Sequence, residues 1–215
     1  MATSRNVLIF GSTGAIGTAC TNYFLESGWN LTTMDRSLTE LENIKGIDAV
    51  VWAQGANYSG TFVETNPEVW DAIWDANFDF IVRSSRILLQ NDCINSGSRL
   101  VIISSVWEHI AKANKTAYIS SKAAIGGLIR ALACELGKNS IAINGVLPGV
   151  IDSPMTRENL TSEQINSIVQ QTPNNQLVTL KSIASIVEFL ASNESFGING
   201  QSIVADHAWA ISKNV

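Results

Sequence analysis

The sequence predicts an α/β domain: a doubly wound parallel sheet flanked by helices, in a single domain. Short, continuously apolar runs typical of strands buried on both faces alternate with longer stretches of helical spacing. One such run, Val7 to Phe10, opens directly into a glycine-rich turn and a helix, and another, Leu100 to Ser105, precedes the helix that Tyr118 opens. At 215 residues the chain can form one substantial core and is too short for two ordinary ones, so residues 1–215 are read as one unit.

Composition narrows the function. Hydrophobic residues make up 46% and charged residues 15% of the chain, a balance that argues against disorder and for a well-buried sheet or buried subunit surface. The net charge of -5, with no basic run, excludes the footprint needed to grip a phosphate backbone, so no nucleic-acid partner is expected. The apolar run at Val7 is too short for a signal peptide or a membrane span, and the expectation is a cytoplasmic protein with no membrane partner. Cys20, Cys93 and Cys134 are widely spaced and are expected to be reduced core residues. His109 and His207 lack metal-ligand spacing, and no metal is expected.

Taken in order, Val7 to Phe10 leads into Gly11-Ser12-Thr13-Gly14-Ala15-Ile16-Gly17. A helix follows, with Ile16, Ala19, Cys20, Tyr23 and Phe24 at helical spacing. It ends at Ser27-Gly28 before a strand from Trp29 to Met34. In such a unit the glycines let the backbone turn sharply and approach a pyrophosphate, whose charge meets free N–H groups at the helix N-terminus. Asp35, at the end of the second strand, stands where a carboxylate accepts hydrogen bonds from an adenosine ribose, which favours NAD; Arg36 beside it can meet a 2'-phosphate and keeps NADP open.

Leu38 to Lys45 reads as a short helix, and Asp48 to Ala53 as a buried strand ending at Gln54-Gly55. A loop with Asn57, Tyr58 and Gly60 then leads to a long helix from Pro67 to about Asn91, with proline in its first turn. This helix and the one from Tyr118 to Leu136 are apolar beyond a single face, which suits either a symmetric subunit interface, making a dimer or tetramer, or a helix sandwiched within the monomer. Ile141 to Leu147 is the next strand, closed by Pro148-Gly149. Thr161 and Gln164 form a capping box for a small helix, and residues 155–176 are expected to act as a lid on the substrate side. A helix from Leu180 to Ser192 and a strand from Gln201 to Ala205 complete the chain.

Chemistry centres on Ser105, Tyr118 and Lys122. Residues four apart share a helix face, so the Tyr118 phenol and the Lys122 ammonium can project into one pocket, with Ser105 at a strand end facing them. A phenol ionises near pH 10, and a neighbouring ammonium favours its anion, which makes a tyrosine usable as an acid or base. The same spacing also arises by chance on solvated helix faces.

The order of these motifs resembles the short-chain dehydrogenase/reductase family, from Val7 to about Asp206. Gly11 to Gly17 is similar to the family's glycine turn, Gly55 to its post-strand glycine, and Asn77 to its helix asparagine. Ser105, Tyr118 and Lys122 match its catalytic set and Pro148-Gly149 its nicotinamide-side turn. The resemblance implies a Rossmann-type fold and hydride transfer between a nicotinamide cofactor and a carbonyl or alcohol of a small molecule. Tyr118 would be the acid or base, Lys122 would lower its pKa and hold a ribose, Ser105 would bind the substrate oxygen, and Asn77 would position a relay water. Gly11, Ser12, Thr13, Gly14, Ile16, Gly17, Asp35, Arg36, Ala53, Gln54, Gly55, Tyr118, Lys122, Pro148, Gly149, Ile151 and Ser153 would contact the cofactor. Trp107, His109 and Met155 are candidates to border the substrate, the alternative being that they pack or face solvent.

The chain departs from the family in three places. Its turn is spaced G-x-x-G-x-x-G, Trp52-Ala53-Gln54-Gly55 replaces Asn-Asn-Ala-Gly, and Asp206-His207-Ala208 replaces Asp-Gly-Gly. The interval from Asp35 to Gly55 is too short for the usual third strand, which is expected to be missing, leaving a more open adenine side. These departures also motivate an alternative reading, a nucleotide-binding regulatory or scaffold protein without turnover. The glycine spacing alone would also suit a sugar-nucleotide epimerase, but the chain is too short for the added substrate domain.

Overall fold

The computed structural model describes residues 4–34 and 38–212. Strand β1 (Asn6–Phe10) leads to α1 (Ala15–Glu26), β2 (Asn30–Met34) and β3 (Ile47–Trp52). Helix α2 (Pro67–Trp74) continues through a π turn, Asp75–Asp79, into α3 (Phe80–Gln90), and β4 (Ile94–Ile103) follows. Then come α4 (Thr116–Leu136), β5 (Ala142–Pro148), β6 (Ile151–Asp152), α5 (Pro154–Asn159), α6 (Ser162–Gln171), β7 (Val178–Thr179), α7 (Leu180–Ala191) and β8 (Ser202–Ala205).

Six strands form one sheet in the order β2-β1-β3-β4-β5-β8, and every neighbouring pair is parallel. The order reverses between β1 and β3, which opens a crevice at the carboxyl ends of those strands. Alternation along β1 shows how the sheet feeds two cores: Val7 and Ile9 pack on the α1 and α7 side, Leu8 and Phe10 on the side of α3 and α4. Among the described residues no strand lies outside β2, as expected from the short interval after Asp35, and β2, with Asn30, Thr32 and Thr33 exposed, is an edge.

Several expectations need correction. Leu38 to Lys45 is not a helix: it holds one three-residue turn, Leu41–Asn43, preceded by Glu40 in the left-handed region at φ 68°. A left-handed residue at Glu40 cannot lie inside a right-handed helix, so the segment is broken there. Leu41 is nonetheless a fully buried anchor. Cys20 and Cys93 are buried, but Cys134 is exposed, because it lies on the outer face of α4. β4 starts six residues before Leu100, and the short β6–β7 ladder, Ile151↔Val178 and Asp152↔Thr179, had no apolar run to announce it.

Other features follow their local chemistry. Asn66 caps α2 by accepting from the Glu68 amide at 2.8 Å, ahead of Pro67. Thr161 and Gln164 form the reciprocal capping box at α6. Neither α5 nor α6 carries a buried residue. Among the described residues no helix is long and apolar enough to cross a membrane, and no cluster of three or more His, Cys, Asp or Glu could hold a metal.

Candidate active site

The glycine turn after β1 is shaped by backbone contact. Gly11 has φ +74°, and a Cβ there would lie 2.6 Å from the Gln54 amide nitrogen. A Cβ on Gly17 would lie 2.0 Å from the Gly11 carbonyl oxygen. Only glycine lets α1 start this close to the turn. The Ala53 amide donates to Phe10 O at 3.0 Å, which ties the loop after β3 to the end of β1. α1 starts with Gly14 as its N-cap, with no side-chain cap and no acidic residue in the first turn, so its free N–H groups and positive dipole end face outward. Thr13 and Gly14 are exposed, Ser12 is partly exposed and Ile16 packs on the core.

Gln54 presents an unusual side chain: both its amide atoms are buried and neither has a hydrogen-bond partner. The neighbouring Trp52 is a core residue. Its indole donates to Ser84 Oγ at 2.8 Å and stacks on Phe10 at 5.9 Å between ring centroids. The departure at Trp52 is therefore a repacking with α3 and leaves the crevice lined from Ala53 onward. Asp35 and Arg36 lie outside the described residues.

Across the crevice, Asn77, Ser105, Tyr118 and Lys122 come together from three elements: the π turn, the turn after β4, and α4, which carries both Tyr118 and Lys122. Asn77, fully buried in the π turn, accepts from the Ala56 amide at 2.8 Å and donates to Ala56 O at 3.0 Å and Ser121 Oγ at 3.0 Å. A π turn of this kind is common at functional positions, where it re-aims one residue. Here it clamps the loop after Gly55 to α4. Gly55 lies between two members of the cluster: a Cβ there would be 3.0 Å from Asn77 Oδ1 and 3.6 Å from Lys122 Nζ. Ser105 is buried, and its hydroxyl accepts from the Trp107 amide at 3.4 Å.

The electrostatics of the cluster are dominated by burial. Tyr118 has its pKa raised by desolvation, while a hydrogen bond with Ser105 works the other way. In the protein alone the phenol is thus harder to ionise than a free tyrosine. The Lys122 ammonium is buried, donates to Ile103 O at 3.2 Å, and sits 5.8 Å from the Tyr118 ring centroid. Burial lowers its pKa to about 8, opposed by the Glu108 carboxylate.

On the far side of β5, Pro148 pairs with Ala205, and the Gly149 amide donates to Ala205 O at 3.0 Å. A Cβ on Gly149 would be 2.7 Å from Asp206 Cβ, so this turn also needs glycine. Ile151 joins the β6–β7 ladder, and Ser153, buried, caps α5 by accepting from the Thr156 amide at 3.3 Å. Trp107 packs edge-on against Trp209, 5.9 Å between centroids, and Met155 is 58% exposed. His109 lines an apolar groove of about 350 Å³ with Val106, Ile110, Val204 and Ile211, and none of Ser105, Tyr118 and Lys122 borders it.

The C-terminal tail turns through two non-glycine residues. His207 and Ala208 both sit in the left-handed region, at φ 55° and 66°. The Asp206 carboxylate holds them there by accepting from the Ala208 amide at 2.8 Å and the Ala210 amide at 2.7 Å. The sequence assigns no individual role to Ser121, which anchors Asn77, or to Glu108, a carboxylate only 3% exposed in the loop between Trp107 and His109. The motif Tyr118 to Lys122 contains Ser121, so its position was visible. The burial of Glu108 depends on β8 and α4, far away in sequence.

A family model described as enoyl-(acyl carrier protein) reductase matches residues 38–207. Nodulation protein G of Rhizobium sp. (strain N33) is 32% identical over 161 residues, covering 75% of this chain and 65% of that protein. The 3-oxoacyl-[acyl-carrier-protein] reductase FabG of Haemophilus influenzae is 31% identical over 178 residues, 81% of this chain and 73% of that one. The solved structure of a 4-hydroxyisoleucine dehydrogenase complexed with NADH superposes with TM-score 0.88 at 24% identity, covering 98% of this chain and 100% of that one, a likeness of fold. The parallel sheet and its crevice define a Rossmann-type α/β domain. The chain belongs to the short-chain dehydrogenase/reductase family. Its match spans just under two thirds of the length of the Rhizobium relative.

Proposed function

We propose that this chain is an NAD(P)-dependent oxidoreductase that interconverts a carbonyl and an alcohol on a small molecule, with Tyr118 as the acid or base. The observation that carries the reading is the cluster in which Asn77 and Lys122 meet at Gly55, with Tyr118 beside Lys122 and in a hydrogen bond with Ser105. The residues fit a dinucleotide. The uncapped start of α1 suits a pyrophosphate, with Gly11 to Gly17 allowing close approach. The unpartnered amide of Gln54 and hydroxyl of Ser104 are buried groups awaiting a polar ligand. Ala53, Gln54, Gly55 and Lys122 would hold the ribose next to the nicotinamide. Pro148, Gly149, Ile151 and Ser153 would border its ring. When bound, the nicotinamide supplies or accepts the hydride.

The chain's own part is proton and charge handling. In reduction the Tyr118 hydroxyl gives its proton to the developing alkoxide, and in oxidation the phenolate takes one from the alcohol. The Lys122 ammonium stabilises the phenolate. The Ser105 hydroxyl donates to the substrate oxygen as charge builds, a preorganised contact that can be worth about 3 kcal/mol of barrier. Asn77 holds the loop and α4 in register behind Lys122, where a relay water would return the proton.

NAD is the preferred cofactor on the strength of Asp35, with NADP admitted by Arg36. The acyl-carrier relatives make 3-oxoacyl thioesters one class to include among ketones, aldehydes and alcohols, and Trp107, His109 and Met155 are the substrate-side candidates under the lid of residues 155–176. A cytoplasmic location and a homo-oligomer, dimer or tetramer, belong to the same reading; what favours the oligomer is the aromatic ladder of Phe62 before α2, Trp70 and Trp74 on it and Phe78 just after it, with Phe62 67% exposed. Light scattering that finds a monomer at micromolar concentration would remove that part.

Fluorescence titration with NADH and NADPH, followed by a substrate panel with the tighter cofactor, tests the whole reading. Tyr118→Phe should keep nucleotide binding and lose turnover by about a thousandfold. Full turnover in that variant would overturn the assignment.

A further inference from the structure

We propose that Glu108 is a positioning residue, the buried counter-charge of Lys122, whose carboxylate is seated in the space left by the missing side chain of Gly126 and keeps the Lys122 ammonium charged beside Tyr118. The inference rests on the reading of Lys122 given above and names the group that makes its charge tenable.

Glu108 closes the short turn that begins at Ser105. Its side chain turns inward, and a Cβ on Gly126 would lie 2.4 Å from Glu108 Oε1 and 3.0 Å from Glu108 Cδ. Gly126 follows Lys122 by four residues on α4, so the carboxylate occupies the same helix face one turn along, about 5.4 Å further on the axis. Any side chain at residue 126 would evict it.

The carboxylate is poorly served by its other neighbours. Oε1 accepts from Ser202 Oγ at 2.7 Å, a neutral donor on β8. His109 Nε2 is 3.5 Å from the same oxygen, and its side chain is 48% exposed. Oε2 is buried without any hydrogen-bond partner. The exposed Arg130 borders the Gly126 space, its Nη1 3.3 Å from the Cβ position. A purely structural link to Ser202 would need only a neutral acceptor, and a buried carboxylate is costly unless a cation shares its field. Lys122 is the buried cation on that face, and Glu108 is the acid whose charge opposes its loss of a proton. Lys122 itself is faced by Tyr118 from its own helix and by the Ile103 carbonyl from β4.

The test follows the Lys122 side chain directly, in the protein without cofactor, by NMR of isotope-labelled lysine, with Lys122→Met assigning the signal. The wild-type midpoint is expected near the value of about 8 that burial imposes. Glu108→Gln, which keeps an acceptor for Ser202, should lower that midpoint by about one pH unit. Gly126→Ala should do the same while leaving Glu108 in the chain. Glu108→Asp should restore part of the shift, and Ser202→Ala should leave the midpoint in place. Circular dichroism confirms that each variant is folded, and Gly126→Ala carries the test if Glu108→Gln does not fold. An unmoved Lys122 midpoint in a folded Glu108→Gln or Gly126→Ala variant overturns the proposal. Turnover plays no part in this readout, so its failure is separable from a Tyr118→Phe result that overturns the oxidoreductase reading.

Discussion

The two walls of the crevice are built by opposite means. On the β1 side, the turn from Gly11 to Gly17 is made of backbone pressed against backbone, and its shape is set by side chains that are not there. On the α4 side, Tyr118 and Lys122 are side chains held where their charged forms are disfavoured by burial. The first wall contributes to stability by fitting, and the second detracts from it by holding ionisable groups out of water. The proposed acid and base therefore stand where the fold is under electrostatic tension, and the shape of the crevice is set where it is not.

The largest expected effect breaks the first wall. Gly17→Ala forces a Cβ to within 2.0 Å of the Gly11 carbonyl oxygen, and since both atoms belong to packed backbone neither can move cheaply. The variant should lose at least about 3 kcal/mol in a urea melt and no longer bind NADH.

On the second wall the sign reverses. Lys122→Met should stabilise the protein at pH 7 by about 2 kcal/mol, the relief of burying an ammonium less the hydrogen bond to Ile103 O. Because the folded-state pKa is depressed from 10.5 to about 8, the burial cost is borne in full below about pH 8. It fades as pH rises toward 10.5, where the unfolded lysine still binds the proton that the native one has released. The advantage of Met in thermal melts should therefore shrink steadily across that window. An advantage that stays constant to pH 10 would sink this account.

A smaller effect probes the junction of the walls. Gln54→Leu replaces two buried, unpartnered amide atoms with a side chain of similar size, and should stabilise the free protein by about 1 kcal/mol while weakening NADH binding. The smallest concerns the tail. Ala208 sits at φ 66°, and Ala208→Gly removes that strain but loosens the unfolded chain, so melts should shift by no more than about 0.5 kcal/mol. Here, unlike at Gly11, a left-handed turn is sustained by the Asp206 carboxylate rather than by lack of a side chain.

Much of this was legible in the chain because it is local. A strand running into Gly11, a cap at Asn66 before Pro67, a capping box at Thr161 and the four-residue spacing of Tyr118 and Lys122 are each written within a few residues. What escaped depends on distant partners. The seat of Glu108 is made by Gly126 and Ser202, and Trp52 reads as a disturbed cofactor motif until Ser84 is found beneath its indole. The false helix at Leu38 had adequate apolar spacing. It failed at Glu40, whose left-handed backbone interrupts the segment just before Leu41 is buried in the core.

That short return from β2 to β3 also bears on how the chain folds. Central pairing of the sheet begins when Val7 meets Ala49 and Leu8 meets Val50, after an excursion containing one helix and one edge strand. Adding a further strand and helix of comparable length would roughly double that loop, and loop closure would then cost only about 0.6 kcal/mol more. Losing the outer strand should thus speed formation of the β1–β3 nucleus by less than about threefold. Such a deletion is nearly neutral for the folding reaction, and its main consequence falls on whatever molecule rests against the exposed edge of β2.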